Sequence, residues 1–220
     1  MRKRRSKNPK HARKTLKPKT KHQTDYIRTI SECDVTICTG PAGSGKTAVA
    51  VGLACEYLTN NRIKKIIITR PIVETGRQGL GFLPGTFDEK VHPYLIPVLE
   101  EIGLYFNSTE IDKYKSSKII EVCPLEYMRG RNFHDSFMIL DEAQNTTYEQ
   151  IKMFLTRIGR NSKAVINGDT DQSDLPANLK GTLQNCVDNL DGLDGVGIVE
   201  LDSSDIVRND IIAKILRRLN

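Results

Sequence analysis

The sequence predicts an α/β domain built on a mainly parallel sheet with helices on both faces, and three observations carry that expectation. Short apolar strands alternate with helical stretches along the chain. A glycine-rich loop, Gly40-Pro41-Ala42-Gly43-Ser44-Gly45-Lys46-Thr47, joins a strand to a helix. An apolar strand at 137–140 runs into two adjacent carboxylates, Asp141 and Glu142. In such a sheet the ligand site lies at the carboxyl ends of the strands. At 220 residues and 24.7 kDa there is room for one substantial domain, not for two complete nucleotide-binding domains.

Taken in order, residues 1–21 form a tail and the domain is expected from residue 22 to 220. Residues 23–31 read as a short helix leading into a β-branched strand at 34–38. After the glycine loop, Val49, Leu53 and Tyr57 recur at helical spacing over 46–58. A strand at 65–69 precedes a long loop, 70–85, with glycines at 76, 79, 81 and 85 and prolines at 71 and 84. Residues 87–106 read as helix, which Pro93 and Pro97 are expected to kink or divide. Strands follow at 118–122, 137–140 and 164–167, with a helix at 147–158, then a strand at 196–201 and a helix at 209–219.

Charge is divided sharply. Residues 1–21 hold 11 Lys or Arg and no acid, which leaves 22 bases against 27 acids elsewhere: a tail of +11 on a body of −5, for the net +6. With almost nothing apolar to bury, the tail is expected to be disordered, and Arg4 and Arg5 head a basic arm suited to nucleic acid phosphates. A solvated tail or an address signal fits the same composition. Five cysteines without a C-x-x-C pair point to reduced thiols, and no apolar run is long enough for a membrane helix, so a cytoplasmic protein without membrane partners is expected.

The loop matches G-x-x-x-x-G-K-[ST] throughout. Its glycines let successive backbone N–H groups face phosphate oxygens, Lys46 can reach the terminal phosphates, and the Thr47 hydroxyl can ligand Mg²⁺. A helix N-terminus aimed at the same point adds partial positive charge. At the end of the 137–140 strand, Asp141 is placed for the Mg²⁺ shell and Glu142 to orient or polarise an attacking water. An acidic helix start would look the same in isolation. After the 164–167 strand, Gln172 carries an amide that can bond both a phosphate oxygen and a water.

These segments together reach a family. The chain resembles the PhoH family over about residues 22–219, and the resemblance extends to Thr69-Arg70-Pro71 and to 79–85 with Glu89-Lys90. It continues through 124–131, through Leu140 to Asn145, through 154–159, and through Gly168-Asp169 with Gln172. The resemblance implies a RecA-like P-loop NTPase fold related to superfamily 1 helicase cores, with ATP and Mg²⁺ as cofactors. It implies that Gln23 reads adenine, although an ordinary surface glutamine stays open. It also implies that Arg208 meets the γ-phosphate from the same or a neighbouring subunit, with Asn209 where a histidine is expected. By analogy with helicase cores, Arg70 and the glycine-rich loop contact a nucleic acid backbone and Phe82 stacks on a base. A subunit contact or a packed loop remains an equal alternative for that segment.

The favoured expectation is an ATPase coupled to RNA or single-stranded DNA, assembled as a homohexameric ring with the arginine supplied in trans. The alternative is a nucleotide-regulated nucleic-acid-binding scaffold with slow hydrolysis and no unwinding. A small-molecule phosphotransferase is disfavoured because Glu142 beside Asp141 suits water as the acceptor.

Overall fold

The computed structural model describes residues 14–71, 87–176, 179–206 and 218, with the backbone alone for 87–92. Six strands, β1 (Val35–Thr39), β2 (Lys65–Arg70), β3 (Ile120–Pro124), β4 (Ser136–Leu140), β5 (Lys163–Gly168) and β6 (Val196–Glu200), form one sheet in the order β3-β2-β4-β5-β1-β6. Every neighbouring pair is parallel. Helices α1 (Lys21–Glu32), α2 (Lys46–Thr59), α3 (Phe87–Gly103), α4 (Ser108–Ser116), α5 (Tyr148–Leu155) and α6 (Thr182–Leu190) supply the connections.

Alternation along each strand sorts the apolar side chains onto two faces. In β2, Ile66 and Ile68 join the core under α1, α2 and α3, with Tyr26, Ile30, Leu53 and Ile102, while Ile67 joins the opposite core. That second core holds Met138, Leu140 and Ile166 against Ile151 and Phe154 of α5 and Leu183 and Cys186 of α6. All of β4 is buried, as a central parallel strand covered on both faces requires. Burial of this kind is worth about 1.5–3 kcal/mol for each large apolar side chain.

Three local expectations are corrected. The strand expected at 118–122 is β3 at 120–124, because the unforeseen α4 runs to Ser116 and Lys118 turns the chain at a φ of 54°. Helix α3 is neither extended to 106 nor divided: it ends at Gly103 and runs through Pro93 and Pro97. The two prolines are four residues apart, so the hydrogen bonds they forgo fall on one side of the helix. Helix α5 stops at Leu155, and α6 was not anticipated.

The basic tail also behaves differently in its last residues. Leu16 packs on the first core and its N–H donates to Glu56 Oε1 at 2.8 Å. Lys14 lies 5.3 Å over the Tyr105 ring and 3.9 Å from Glu101, and Thr20 caps α1 by accepting from the Gln23 N–H. Lys14, Leu16, Lys19 and Thr20 at the end of the basic tail thus contact the folded body. Arg4 and Arg5 lie outside the described residues, as do Phe82, Arg208 and most of the helix expected at 209–219.

Candidate active site

The glycine-rich loop leaves β1 and enters α2 through backbone that only glycine adopts freely. Gly40, Gly43 and Gly45 have φ of 141°, 84° and 95°. A Cβ on Gly40 would also strike the Leu201 carbonyl, so this position has neither the angle nor the space for a side chain. Helix α2 starts at Gly45 without a side-chain cap and without an acid in its first turn. Its first N–H groups and its positive end are thus left for a ligand.

Within the loop, buried Ser44 folds back with its hydroxyl donating to the Pro41 carbonyl at 2.9 Å. Lys46 Nζ donates to the carbonyls of Gly40 at 2.5 Å and Pro41 at 3.0 Å. Behind the loop sits Gln23, only 5% exposed. Its Nε2 donates to the Ser44 carbonyl at 2.9 Å and its Oε1 accepts from the Lys19 N–H at 2.8 Å. Helix α1 is further pinned where the buried Tyr26 hydroxyl donates to Asn167 Oδ1 of β5 at 2.5 Å.

The ends of β4 and β2 face this loop. Asp141 is 1% exposed, and its Oδ1 accepts from the Thr47 hydroxyl at 2.8 Å. Its Oδ2 accepts from Arg70 Nε at 2.8 Å and Nη2 at 2.5 Å, while Arg70 Nη1 donates to the Tyr94 carbonyl at 3.2 Å. Glu142 follows in left-handed backbone, φ 59° and ψ 40°, with its carboxylate half-exposed. From β5, Gln172 and Asp169 reach the same cleft of about 500 Å³, which Ala42, Gly43, Gly45, Lys46 and Thr47 line from the other side.

Of the residues expected at the site, the structure thus brings together the loop, Asp141, Glu142 and Gln172. Ser44 and Gln23 lie behind the loop and brace it. Arg70 is expected on a nucleic acid surface; its guanidinium instead points into the cleft and onto Asp141. The β2–β4 register pairs Thr69 with Leu140, which makes Arg70 and Asp141 the next residues on adjacent strands. Gln144 was missed. Its Nε2 donates to Glu142 Oε2 at 2.7 Å and its Oε1 accepts from the Asp169 N–H at 3.1 Å. The readable signal was its place two residues after Glu142, in the short turn that follows β4.

Thr47 Oγ1 and Asp141 Oδ1 are hard oxygen donors on one side of the phosphate loop, a donor set that fits Mg²⁺ held jointly with phosphate oxygens. A separate group joins α1 to the turn after β6: His22 Nδ1 lies 2.9 Å from Asp205 Oδ2, with Asp202 close by. The hydrogen bond and charge of Asp205 raise the His22 pKa above its ordinary value.

Residues 15–220 match the family model described as PhoH-like protein. The chain belongs to the PhoH family. A PhoH-like protein of Bacillus subtilis (strain 168) is 46% identical over 203 residues, covering 92% of this chain and 63% of the relative. Protein PhoH of Escherichia coli (strain K12) is 37% identical over 196 residues, covering 88% of this chain and 55% of the relative. This PhoH family member therefore spans less than two thirds of the length of either.

Among solved structures it is similar to the large terminase of a thermophilic bacteriophage. The TM-score is 0.57 at 12% identity, covering 93% of this chain and 51% of that one. The same terminase in complex with ADP gives 0.52 at 13% identity, over 91% and 50% of the two chains. At such identities the likeness is one of fold alone: a single α/β domain on a six-stranded parallel sheet. Among the described residues of this PhoH family member, no helix is long and apolar enough to cross a membrane.

Proposed function

We propose that this PhoH family member is a Mg²⁺-dependent ATPase of the cytoplasm that couples hydrolysis to binding or remodelling RNA or single-stranded DNA. The observation that carries this reading is the 2.8 Å hydrogen bond from Thr47 to Asp141, which ties the phosphate loop to the carboxylate strand inside one cleft. The loop N–H groups hold the phosphates, and Lys46 exchanges the Gly40 and Pro41 carbonyls for terminal phosphate oxygens. Thr47 and Asp141 would hold Mg²⁺, which would supply neutralising charge at the phosphates. Glu142 orients the water and accepts its proton as the new P–O bond forms and the bond to the bridging oxygen breaks. Gln172, at the same cleft, senses the γ-phosphate.

The described sheet is one nucleotide domain, whereas a helicase cleft is built from two. A homohexameric ring supplies the second wall, with Arg208 given in trans to the neighbour's phosphates; charge stabilisation of that kind is worth about 10³-fold or more in rate. The basic segment headed by Arg4 and Arg5, with Phe82, provides the nucleic acid grip. The test is ATP turnover with and without single-stranded RNA or DNA in wild type, Lys46→Ala and Glu142→Gln. Turnover in the wild type no faster than in either variant under every condition overturns the ATPase reading. Salt-dependent nucleic acid binding that ignores ATP would point to the scaffold alternative.

A further inference from the structure

We infer that Arg70 is the resident counter-cation of Asp141 and that a divalent ion must displace it to bind. The inference rests on the nucleotide reading above, which assigns the ion to Asp141. A carboxylate with 1% exposure is costly unless a cation and hydrogen bonds compensate it. Arg70 supplies both, with Nε and Nη2 converging on Oδ2, and it is the only cation within ion-pair distance of Asp141 among the described residues. Thr47 takes Oδ1. Both oxygens are therefore engaged, one of them by a fixed positive charge that repels an incoming cation.

The guanidinium has a second acceptor within reach. Arg70 Nη2 lies 3.9 Å from Glu142 Oε1, so a small shift transfers it from one carboxylate to the next along the chain. Arg70 is held at three nitrogens and is 14% exposed, which makes the exchange a choice between two defined partners rather than a release into solvent. Occupation of Asp141 by the ion thus brings Arg70 onto the carboxylate that handles water. In this way metal binding and the placement of Glu142 become one event.

The experiment uses Mn²⁺ alone, followed by the electron paramagnetic resonance signal of the free ion, with circular dichroism confirming that each variant is folded. Arg70→Gln is expected to bind Mn²⁺ about tenfold or more tightly than wild type, and Arg70→Lys to fall between them, because the ammonium keeps the charge without the fork. The gain is expected to vanish in Arg70→Gln/Asp141→Asn. In parallel, Arg70→Gln should melt below wild type in metal-free buffer and recover with millimolar Mg²⁺, since the ion takes over the compensation of Asp141. Unchanged or weaker Mn²⁺ binding in folded Arg70→Gln, or a gain that survives Asp141→Asn, overturns the inference. The nucleotide reading fails separately, if labelled ATP binds wild type no better than Lys46→Ala.

Discussion

Gln144 clasps Glu142: its Nε2 donates to Glu142 Oε2 at 2.7 Å while its Oε1 accepts from the Asp169 N–H at 3.1 Å. One amide therefore joins the carboxylate after β4 to the backbone after β5. Gly168 allows the approach, since a Cβ there would lie 3.0 Å from the Gln144 nitrogen and would collide with Leu183. Gln144→Ala should lower kcat about 10- to 100-fold with KM for ATP little changed, because it loosens Glu142 without touching the phosphate loop. Gln144→Glu should be worse, as it sets a like charge beside Glu142. Steady-state kinetics of both decides the point, and a rise in KM at constant kcat would refute it.

Gln23 and Gly45 should prove energetically coupled. The Gln23 amide is satisfied at both ends, and its loss leaves the Ser44 carbonyl and the Lys19 N–H without their partner, a cost of about 1–3 kcal/mol. A Cβ on Gly45 would sit 2.7 Å from Gln23 Nε2 in addition to its unfavourable φ. Gly45→Ala should therefore destabilise the wild type more than it destabilises Gln23→Ala. Denaturant midpoints of the two singles and the double measure this, and strict additivity would disprove the coupling.

Stability should depend on pH through His22. The imidazolium faces Asp25, Asp202 and Asp205, with the Asp205 hydrogen bond as the largest influence, and its pKa is raised in the fold. A raised folded value means that the contribution is complete below the unfolded value of about 6.5 and fades as pH climbs through the folded one. The melting temperature of wild type should exceed that of His22→Gln at about pH 5.5, with the gap narrowing as pH rises through the raised folded value. A gap that is constant across that range would show a pH-independent role.

Cysteine chemistry should be confined to one position. Burial pushes the thiols of Cys38, Cys55 and Cys186 up and that of Cys123 up to about 12, whereas Cys33 is only half-buried. Against an ordinary thiol, Cys123 therefore holds far less thiolate. An aromatic disulfide reagent should release one fast equivalent from folded protein, lost in Cys33→Ser, and five in denaturant. More than one fast equivalent from the native protein would contradict this burial pattern.

Much of the fold was legible because apolar runs, glycine angles and carboxylate placement are local properties. The buried β4 strand and the loop from Gly40 to Thr47 depend on little beyond their own residues. Helix α4 escaped because none of its residues is buried, so its periodicity is weak; the Asn107–Glu110 capping box was its one clear mark. The pairing of Arg70 with Asp141 was hidden for a different reason. The long arginine side chain reaches the cleft only because Thr69 stands opposite Leu140, and strand register is a long-range property. Leu16 was hidden within a run of bases, where its bond to Glu56 of α2 and its packing on the first core could not be foreseen.

The position of β5 between β1 and β4 makes the sheet a spacer of fixed width. Two strand intervals separate the backbones of β1 and β4, about 9.5 Å at the usual spacing of about 4.8 Å, and the side chains of Thr47 and Asp141 bridge the distance between their ends. That gap cannot be narrowed by rotating side chains; it changes only if β5 is lost or thinned. Because Ala164, Val165, Ile166 and Asn167 are buried on both sides, the working width of the cleft is protected by the same packing that keeps the domain folded.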